Sequence, residues 1–290
     1  MLYWYAMLRL FRFLVVGCSF SLMFSMGYFA PGAQAQSLYE DITHAFLPDD
    51  ITYVMAGEIR VPIFESPSAL PISRGAAIIL ADASPTGLSI GDARLLASLL
   101  NEKGWHAVVS PVSFTLEEDP DLPADEAIHP KTDSRLQRQS YVSSSQHLTI
   151  LINALNTHLE SHQGFRMNIA YGMQAAQLLD LGSKGIIPSP DTLVAITPFW
   201  PNADINRGVP EFIAGTEFPV LDLSINDTNT WASQTEAKRK QLAITSLKLH
   251  YRQQSLSTHN STFGLMDNEN SAKIQLIAGS VLGWAQHLGW

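Results

Sequence analysis

Three polar side chains of this 290-residue sequence are of the types that hydrolyse esters and amides. Ser84, Asp227 and His259 each stand in a polar stretch that follows a predicted strand. A serine attacks a carbonyl carbon when a histidine removes its proton and a carboxylate orients that histidine. The three residues are far apart in sequence, so only a fold that brings strand ends together could unite them.

A fourth position bears on the same chemistry because it lacks a side chain. The stretch NIAYGMQAAQLL, residues 168–179, is an apolar run that ends at Gly172 and continues as an alanine-rich helical pattern. A strand-to-helix turn of this kind carries the nucleophilic serine in many hydrolases. Gly172 has no atom with which to attack, and its neighbours Tyr171 and Met173 are not serines.

The elements that would position these residues alternate along the chain. From about residue 50, short apolar runs alternate with amphipathic helical patterns, which is typical of βα units on a mostly parallel sheet. Residues 51–69 have a glycine among β-prone residues and predict an antiparallel hairpin. Leucine-rich patterns at 91–104 and 147–160 predict helices, the first of which ends in a left-handed turn at Gly104.

Residues 113–145 interrupt this alternation. They include three prolines and a cluster of acids in TLEEDPDLPADEAIHPKTD, with few side chains that could be buried, so they predict a long loop inserted in the domain. The loop would lie over the crevice where open α/β sheets bind ligands. Its acids lack the spacing of a calcium-binding loop, and a solvated loop is the simpler interpretation.

The order of these segments, a hairpin followed by six βα steps over about residues 50–290, resembles the α/β-hydrolase fold. The chain is also similar to one group within it, a bacterial family of exported α/β-hydrolase-like proteins of unassigned function, in RGAAIILADAS, LLNEKGW, FPVLDL, KRKQLA, HYRQQSL and the closing GW. The resemblance implies a single α/β domain over residues 36–290, with a mostly parallel central sheet, helices on both faces and an opening antiparallel hairpin.

The resemblance also implies places for a catalytic set. The elbow serine would stand at Gly172, the acid at Asp227 and the histidine at His259. Because the serine is missing, a non-catalytic binding or accessory module is favoured; the alternative is a divergent esterase or peptidase with a relocated nucleophile, for instance Ser84. Asp227 can equally be a turn or cap residue, His259 a solvated loop residue, and Ser84 a turn residue before Pro85.

The ligand of such a module would lie at the mouth of the crevice. The residues expected there are Asp82, Gly172, Met173, Phe199, Trp200 and His259. Asp82 stands where many relatives aim backbone N–H groups at developing negative charge, and a carboxylate there would disfavour an oxyanion. Phe199 and Trp200, in TPFWPN, either line an apolar pocket or pack under the segment that follows.

Asp222 lies inside the apolar strand pattern VLDL. A charge at such a position is costly unless it is paired. In the expected fold this strand lies beside HYRQQ, which predicts that Asp222 contacts Arg252, Tyr251 or Arg239. We interpret these contacts as a structural network rather than a catalytic one.

The first 35 residues predict a signal peptide. Two arginines precede an apolar run, and AQA at 33–35 supplies the small residues of a cleavage site. The alternatives are an uncleaved anchor, since the run approaches the length of a spanning helix, and a lipoprotein acylated at Cys18. Cleavage after Ala35 predicts a periplasmic or secreted protein with no stable membrane insertion.

The composition and the spacing of residues limit which partners and cofactors are expected. The formal charge of −9 argues against nucleic acid, because an acidic surface repels phosphate backbones. We therefore expect an unknown small molecule or envelope protein as the partner. Cys18 is the only cysteine, the nine histidines lack the paired spacing of zinc sites, and no nucleotide-binding glycine loop follows a strand. We expect no metal and no cofactor.

Overall fold

The computed structural model describes residues 32–82, 87–112, 134–225, 229–257 and 267–290. The strands of these ranges are β1 (Thr52–Ala56), β2 (Ile59–Ser66), β3 (Gly75–Asp82), β4 (Trp105–Val112), β5 (Phe165–Tyr171), β6 (Thr192–Ile196), β7 (Val220–Ile225) and β8 (Tyr251–Leu256). The helices are α1 (Gly32–Ala45), α2 (Ile90–Asn101), α3 (Ser134–His158), α4 (Gly172–Ser183), α5 (Ala203–Gly215), α6 (Thr230–Thr245) and α7 (Asp267–His287), with a short 3-10 helix at Pro48–Asp50.

The eight strands form one sheet in the order β1-β2-β4-β3-β5-β6-β7-β8. Strand β2 is antiparallel to both β1 and β4, and every other neighbouring pair is parallel. All residues of β3, β4, β6 and β7 are buried, so both faces of the sheet are covered. Helices α2 and α7 contact each other, as do α4 and α5 and then α5 and α6. The predicted α/β architecture is confirmed.

Glycines shape two of the predicted turns. The β1–β2 hairpin pairs Ala56 with Ile59, and Gly57 between them has a φ of +64°. Gly104 follows α2 with a φ of +94°, which is the left-handed conformation that the sequence predicts there. Both predictions are confirmed.

The predicted loop at 113–145 is wrong at its C-terminal end, because helix α3 begins at Ser134. Residues 113–133 lie outside the described ranges. The early part of α3 reads SRLQRQSYVSSS and has no apolar stripe that would predict a helix. Its stabilisation therefore has to come from tertiary contacts.

Helix α4 supplies those contacts. The Gln177 side-chain amide donates to the hydroxyl oxygens of Ser144 and Ser145, at 2.6 and 3.0 Å. The Tyr141 hydroxyl donates to the Asp180 carboxylate at 2.9 Å. Polar residues that predict a loop in isolation are thus held in a helix by partners on a neighbouring element.

The predicted signal peptide falls almost wholly on residues 1–31, outside the described part of the chain, and α1 begins at Gly32. Among the residues described, we find no helix with the length and apolar character needed to cross a membrane.

Candidate functional site

The carboxyl end of β5 turns directly into α4 at Gly172. This residue has a φ of +59°, a conformation that glycine adopts without steric cost. Tyr171 occupies the N-cap of α4 and makes no side-chain hydrogen bond to the first turn. The turn therefore combines a sharp elbow with the partial positive charge of a helix N-terminus, and it presents no side chain at its apex.

Asp82 ends β3 beside this elbow. The β3–β5 ladder aligns Ile79 with Ile169, so the same step along both strands leads to Asp82 and Gly172. Asp82 is 6% exposed, and its backbone N–H donates to the Leu88 carbonyl oxygen at 2.8 Å. The structure thus places a buried acid at the sheet edge that carries the elbow.

Met173, Phe199 and Trp200 come together with Tyr141 and Ala232 in a small buried group, which we call the elbow cluster. Trp200 is 1% exposed and meets the Tyr141 ring edge-on, with 4.7 Å between the ring centroids. The Phe199 backbone N–H also donates to the carbonyl oxygen of Gly172 at 3.3 Å. Phe199 and Trp200 are packed rather than open, so the side chains expected to line an apolar pocket contact other side chains of this cluster.

Two polar side chains near the elbow, Thr197 and Gln174, were not predicted from the sequence. Thr197 follows Ile196, the β6 partner of Tyr171, and has a φ of +48°. This value is rare for a β-branched residue, and rarer still before proline, so no sequence signal predicts it. Its buried hydroxyl has no hydrogen-bond partner within the described ranges.

Gln174, in the first turn of α4, is fully buried. Neither polar atom of its side chain has a hydrogen-bond partner in the part of the chain that the structure describes. A buried polar group left unsatisfied costs about 1–3 kcal/mol. Gln174 and Thr197 are therefore two buried polar groups near the elbow that the described residues leave unsatisfied.

The three residues proposed for catalysis, Ser84, Asp227 and His259, lie outside the described residues. Each follows the carboxyl end of a strand: β3, β7 and β8, respectively. Their roles as nucleophile, acid and base stay predictions.

Asp222 is fully buried in β7, and its carboxylate is paired as expected. Its Oδ2 accepts hydrogen bonds from Arg239 Nε at 2.8 Å, from the Tyr251 hydroxyl at 2.9 Å and from the Gln253 amide at 3.0 Å. The predicted contacts with Arg239 and Tyr251 are confirmed. The guanidinium of Arg252, the third candidate, lies over the ring of a tryptophan instead.

The Arg239 side chain is also fully buried and has further acceptors besides Asp222. Its terminal nitrogens donate to the Ala232 carbonyl oxygen, the Thr235 hydroxyl and the Ser224 hydroxyl, at 2.8–3.1 Å. Burial, and then the charge of Asp222, raise the pKa of Tyr251 well above its usual range. These hydrogen bonds centre on Asp222 Oδ2 and on Arg239, which agrees with a structural network; Asp222 Oδ1 has no partner among the described residues.

Histidines gather at the opposite, amino-terminal edge of the sheet. The Glu65 carboxylate is hydrogen-bonded to His158 and lies 3.6 Å from His106 Nε2. The rings of His106 and His162 are stacked, with centroids 4.1 Å apart. Over the described ranges, no group of three or more histidine, cysteine or acidic side chains has an arrangement that could hold a metal ion.

We expect His106 to make stability depend on pH. Burial, and next the neighbouring His162, lower the pKa of His106 below the usual 6.5. Between the two pKa values the unfolded chain binds the proton and the folded chain does not. The contribution of neutral His106 to the free energy of unfolding is therefore complete above about pH 6.5. It is lost as the pH falls from that value towards the lower pKa of His106 in the folded chain.

Urea unfolding on either side of that pH checks this expectation. His106→Asn should reduce the loss of stability on acidification, whereas the matched change at the exposed His44 should leave it as in the wild type. An equal acid loss in the wild type and in His106→Asn would contradict it.

Several solved structures share this fold. The esterase domain of a Rhodothermus marinus protein is 9% identical, with a TM-score of 0.52, over 79% of this chain and 96% of that chain. An α/β serine hydrolase homologue from Coxiella burnetii is 12% identical, with a TM-score of 0.53, over 80% and 97%. A carboxylesterase from Lactobacillus plantarum is 9% identical, with a TM-score of 0.54, over 82% and 97%.

These similarities show that the chain has the α/β-hydrolase fold. At such low identities they show the fold alone. No protein-family model matches the sequence, and no curated protein matches it. Membership of an exported family therefore stays a prediction.

Proposed function

We propose that this chain is an exported α/β-hydrolase-like protein that binds a small molecule, or a group on an envelope protein, at the carboxyl edge of its sheet without hydrolysing it. The observation that carries the proposal is the elbow at Gly172, which has a φ of +59° and no side chain. Covalent acyl transfer needs a nucleophile at the reacting carbon. A site that has lost that atom keeps its capacity to bind.

The groups around the elbow favour a neutral ligand that has a polar head and an apolar body. Gln174 and Thr197 offer buried hydrogen-bonding groups that have no partner among the described residues. The elbow cluster, which includes Met173 of the same helical turn as Gln174, provides apolar surroundings. Asp82 lies at the same sheet edge and disfavours an anion there. An uncharged ester or amide meets these conditions.

A fluorophosphonate probe tests the loss of catalysis. We expect no covalent adduct on the full chain by intact-mass spectrometry, under conditions that label an active serine hydrolase to completion. An adduct on any serine of the folded protein would contradict the proposal.

Ligand binding is tested by NMR of methionine methyl groups, with ethyl butyrate as the probe. The Met173 signal, from the elbow cluster, is expected to shift during the titration. The Met167 signal is the matched control, because Met167 is fully buried inside β5, away from the elbow. Equal shifts of both signals, or of neither, would count against binding at the elbow.

The alternative function is an esterase or peptidase with a relocated nucleophile. It is favoured by the names of the structures that share the fold, two of which are an esterase domain and a carboxylesterase. Under this alternative the fluorophosphonate adduct forms on Ser84. Ser84→Ala would abolish it, whereas Ser233→Ala, at an exposed position of α6, would leave it intact.

A further inference from the structure

A cavity lies at the amino-terminal edge of the sheet. It has a volume of about 320 Å³. Arg74, Lys103, Trp105, Leu282, Gln286 and Trp290 line it. Arg74 directly precedes the amino-terminal end of β3, and Lys103 lies just before that of β4. The elbow follows the carboxyl end of β5, at the opposite edge of the sheet. At about 3.3 Å per residue, the length of β5 separates this cavity from the elbow by about 20 Å. The volume is at the lower end for small-molecule sites.

Arg74 is held in place by its neighbours. Its backbone N–H donates to the Gly104 carbonyl oxygen at 2.8 Å, and its own carbonyl oxygen accepts from the Phe165 N–H at 3.0 Å. Its side-chain Nε donates to the Lys103 carbonyl oxygen at 2.9 Å. The side chain passes over Gly104, where an added Cβ would lie 3.4 Å from Arg74 Cγ. The backbone of Arg74 and its Nε are therefore held by neighbouring carbonyl and N–H groups, and the side chain itself stays exposed.

The two terminal nitrogens of this guanidinium have no partner among the residues that the structure describes. No hydrogen bond to them, and no ion pair of Arg74 or Lys103, occurs within the described ranges. Two cations thus line this cavity, although the chain as a whole has a formal charge of −9. A fixed guanidinium binds a carboxylate through two parallel hydrogen bonds, and a nearby ammonium adds attraction.

The rest of the lining contains one polar side chain, Gln286, and is otherwise apolar or aromatic. Trp290 is 41% exposed, and its ring lies against Phe165 with 4.6 Å between the centroids. Leu282 of α7 and the almost fully buried Trp105 also line the cavity. An inorganic anion would gain nothing from it, whereas a flat apolar body beside the carboxylate would bury aromatic surface.

We propose that this cavity binds a small aromatic carboxylate, with the carboxylate on Arg74 and Lys103 and the ring against Trp290 and Leu282. The proposal concerns the sheet edge opposite the elbow and does not depend on the proposed function. Either proposal can fail while the other stands.

Benzoate is the probe that tests this site on the full chain. We expect binding with a Kd on the order of 1 mM by calorimetry, and a shift of the Trp290 indole N–H signal in NMR spectra. The Trp290 signal is assigned with Trp290→Phe. Benzamide has the same shape without the charge and is expected to bind at least about tenfold more weakly.

Variants identify the cations involved. Arg74→Gln is expected to raise the Kd for benzoate at least about tenfold, through loss of the charged hydrogen bonds. Lys103→Gln, which leaves the Arg74 backbone bonds in place, is expected to raise it severalfold, and it keeps the test valid if Arg74→Gln does not fold. Arg60→Gln is the matched control, because Arg60 is exposed on β2 and stacks on Tyr53.

Three results would overturn the proposal. The first is the absence of heat and of a Trp290 shift at about 10 mM benzoate. The second is binding that Arg74→Gln and Lys103→Gln leave unchanged. The third is displacement of benzoate by inorganic phosphate at equal concentration, which would make the cavity a simple anion site.

Discussion

Replacing Asp222 with alanine is expected to lower the free energy of unfolding by about 3–5 kcal/mol, because it leaves the Arg239 guanidinium buried without its counterion. Both side chains are essentially inaccessible to solvent, at 0% and 1% exposure. The same change removes the acceptor of the Tyr251 hydroxyl and of the Gln253 amide. Urea denaturation followed by circular dichroism measures the loss.

Two control variants distinguish the effect of pairing the charges of Asp222 and Arg239 from the effect of burying them. Asp222→Leu combined with Arg239→Met removes both charges, and it is expected to recover most of the stability lost in the single variant. Asp50→Ala breaks the exposed pair with Arg94, whose side chains are 40–43% exposed, and is expected to cost less than about 1 kcal/mol. If Asp222→Ala cost no more than Asp50→Ala, the network would not stabilise the fold.

Replacing Gly75 with alanine is expected to have an effect of similar size, about 3–5 kcal/mol, for a steric reason. Gly75 begins β3, pairs with Trp105 and Phe165, and has a φ of +148°. A Cβ at this position would stand 2.0 Å from the Phe165 carbonyl oxygen. Because that atom is backbone of the neighbouring strand, β3 and β5 would have to separate.

Gly279→Ala is the matched control. Gly279 lies on the exposed side of α7, and an added Cβ would meet no atom within 4 Å. Alanine is the better helix former, so this variant is expected to raise the free energy of unfolding by about 0.5–1 kcal/mol. Equal stability of Gly75→Ala and Gly279→Ala would show that the β3–β5 contact tolerates a side chain.

Local patterns predicted most of the architecture. The apolar run GAAIILAD predicts a strand covered on both faces, and every residue of β3 is buried. Gly57 and Gly104 mark turns because few other residues adopt a positive φ. Asp222 predicts its own partners, since a charge inside an apolar strand is stable only when it is paired.

Other features carry no local signal. The first turns of α3 have the composition of a loop. They are helical because Gln177 and Asp180 of the neighbouring helix α4 form hydrogen bonds with side chains of α3. Thr197 has a positive φ before proline, against the preference of its own sequence. Arg74 is an exposed cation, and nothing in the sequence near it predicts that its Nε donates to the Lys103 carbonyl oxygen.

The sequence by itself determined the alternation of strands and helices, the missing elbow side chain and the buried charge, because each depends on residues adjacent in the chain. Only the tertiary structure decided what surrounds the elbow and which cations remain unpaired. Those properties depend on contacts at the strand ends between side chains that are distant in sequence. The periodicity of the chain predicts helices and strands, and it does not predict such contacts.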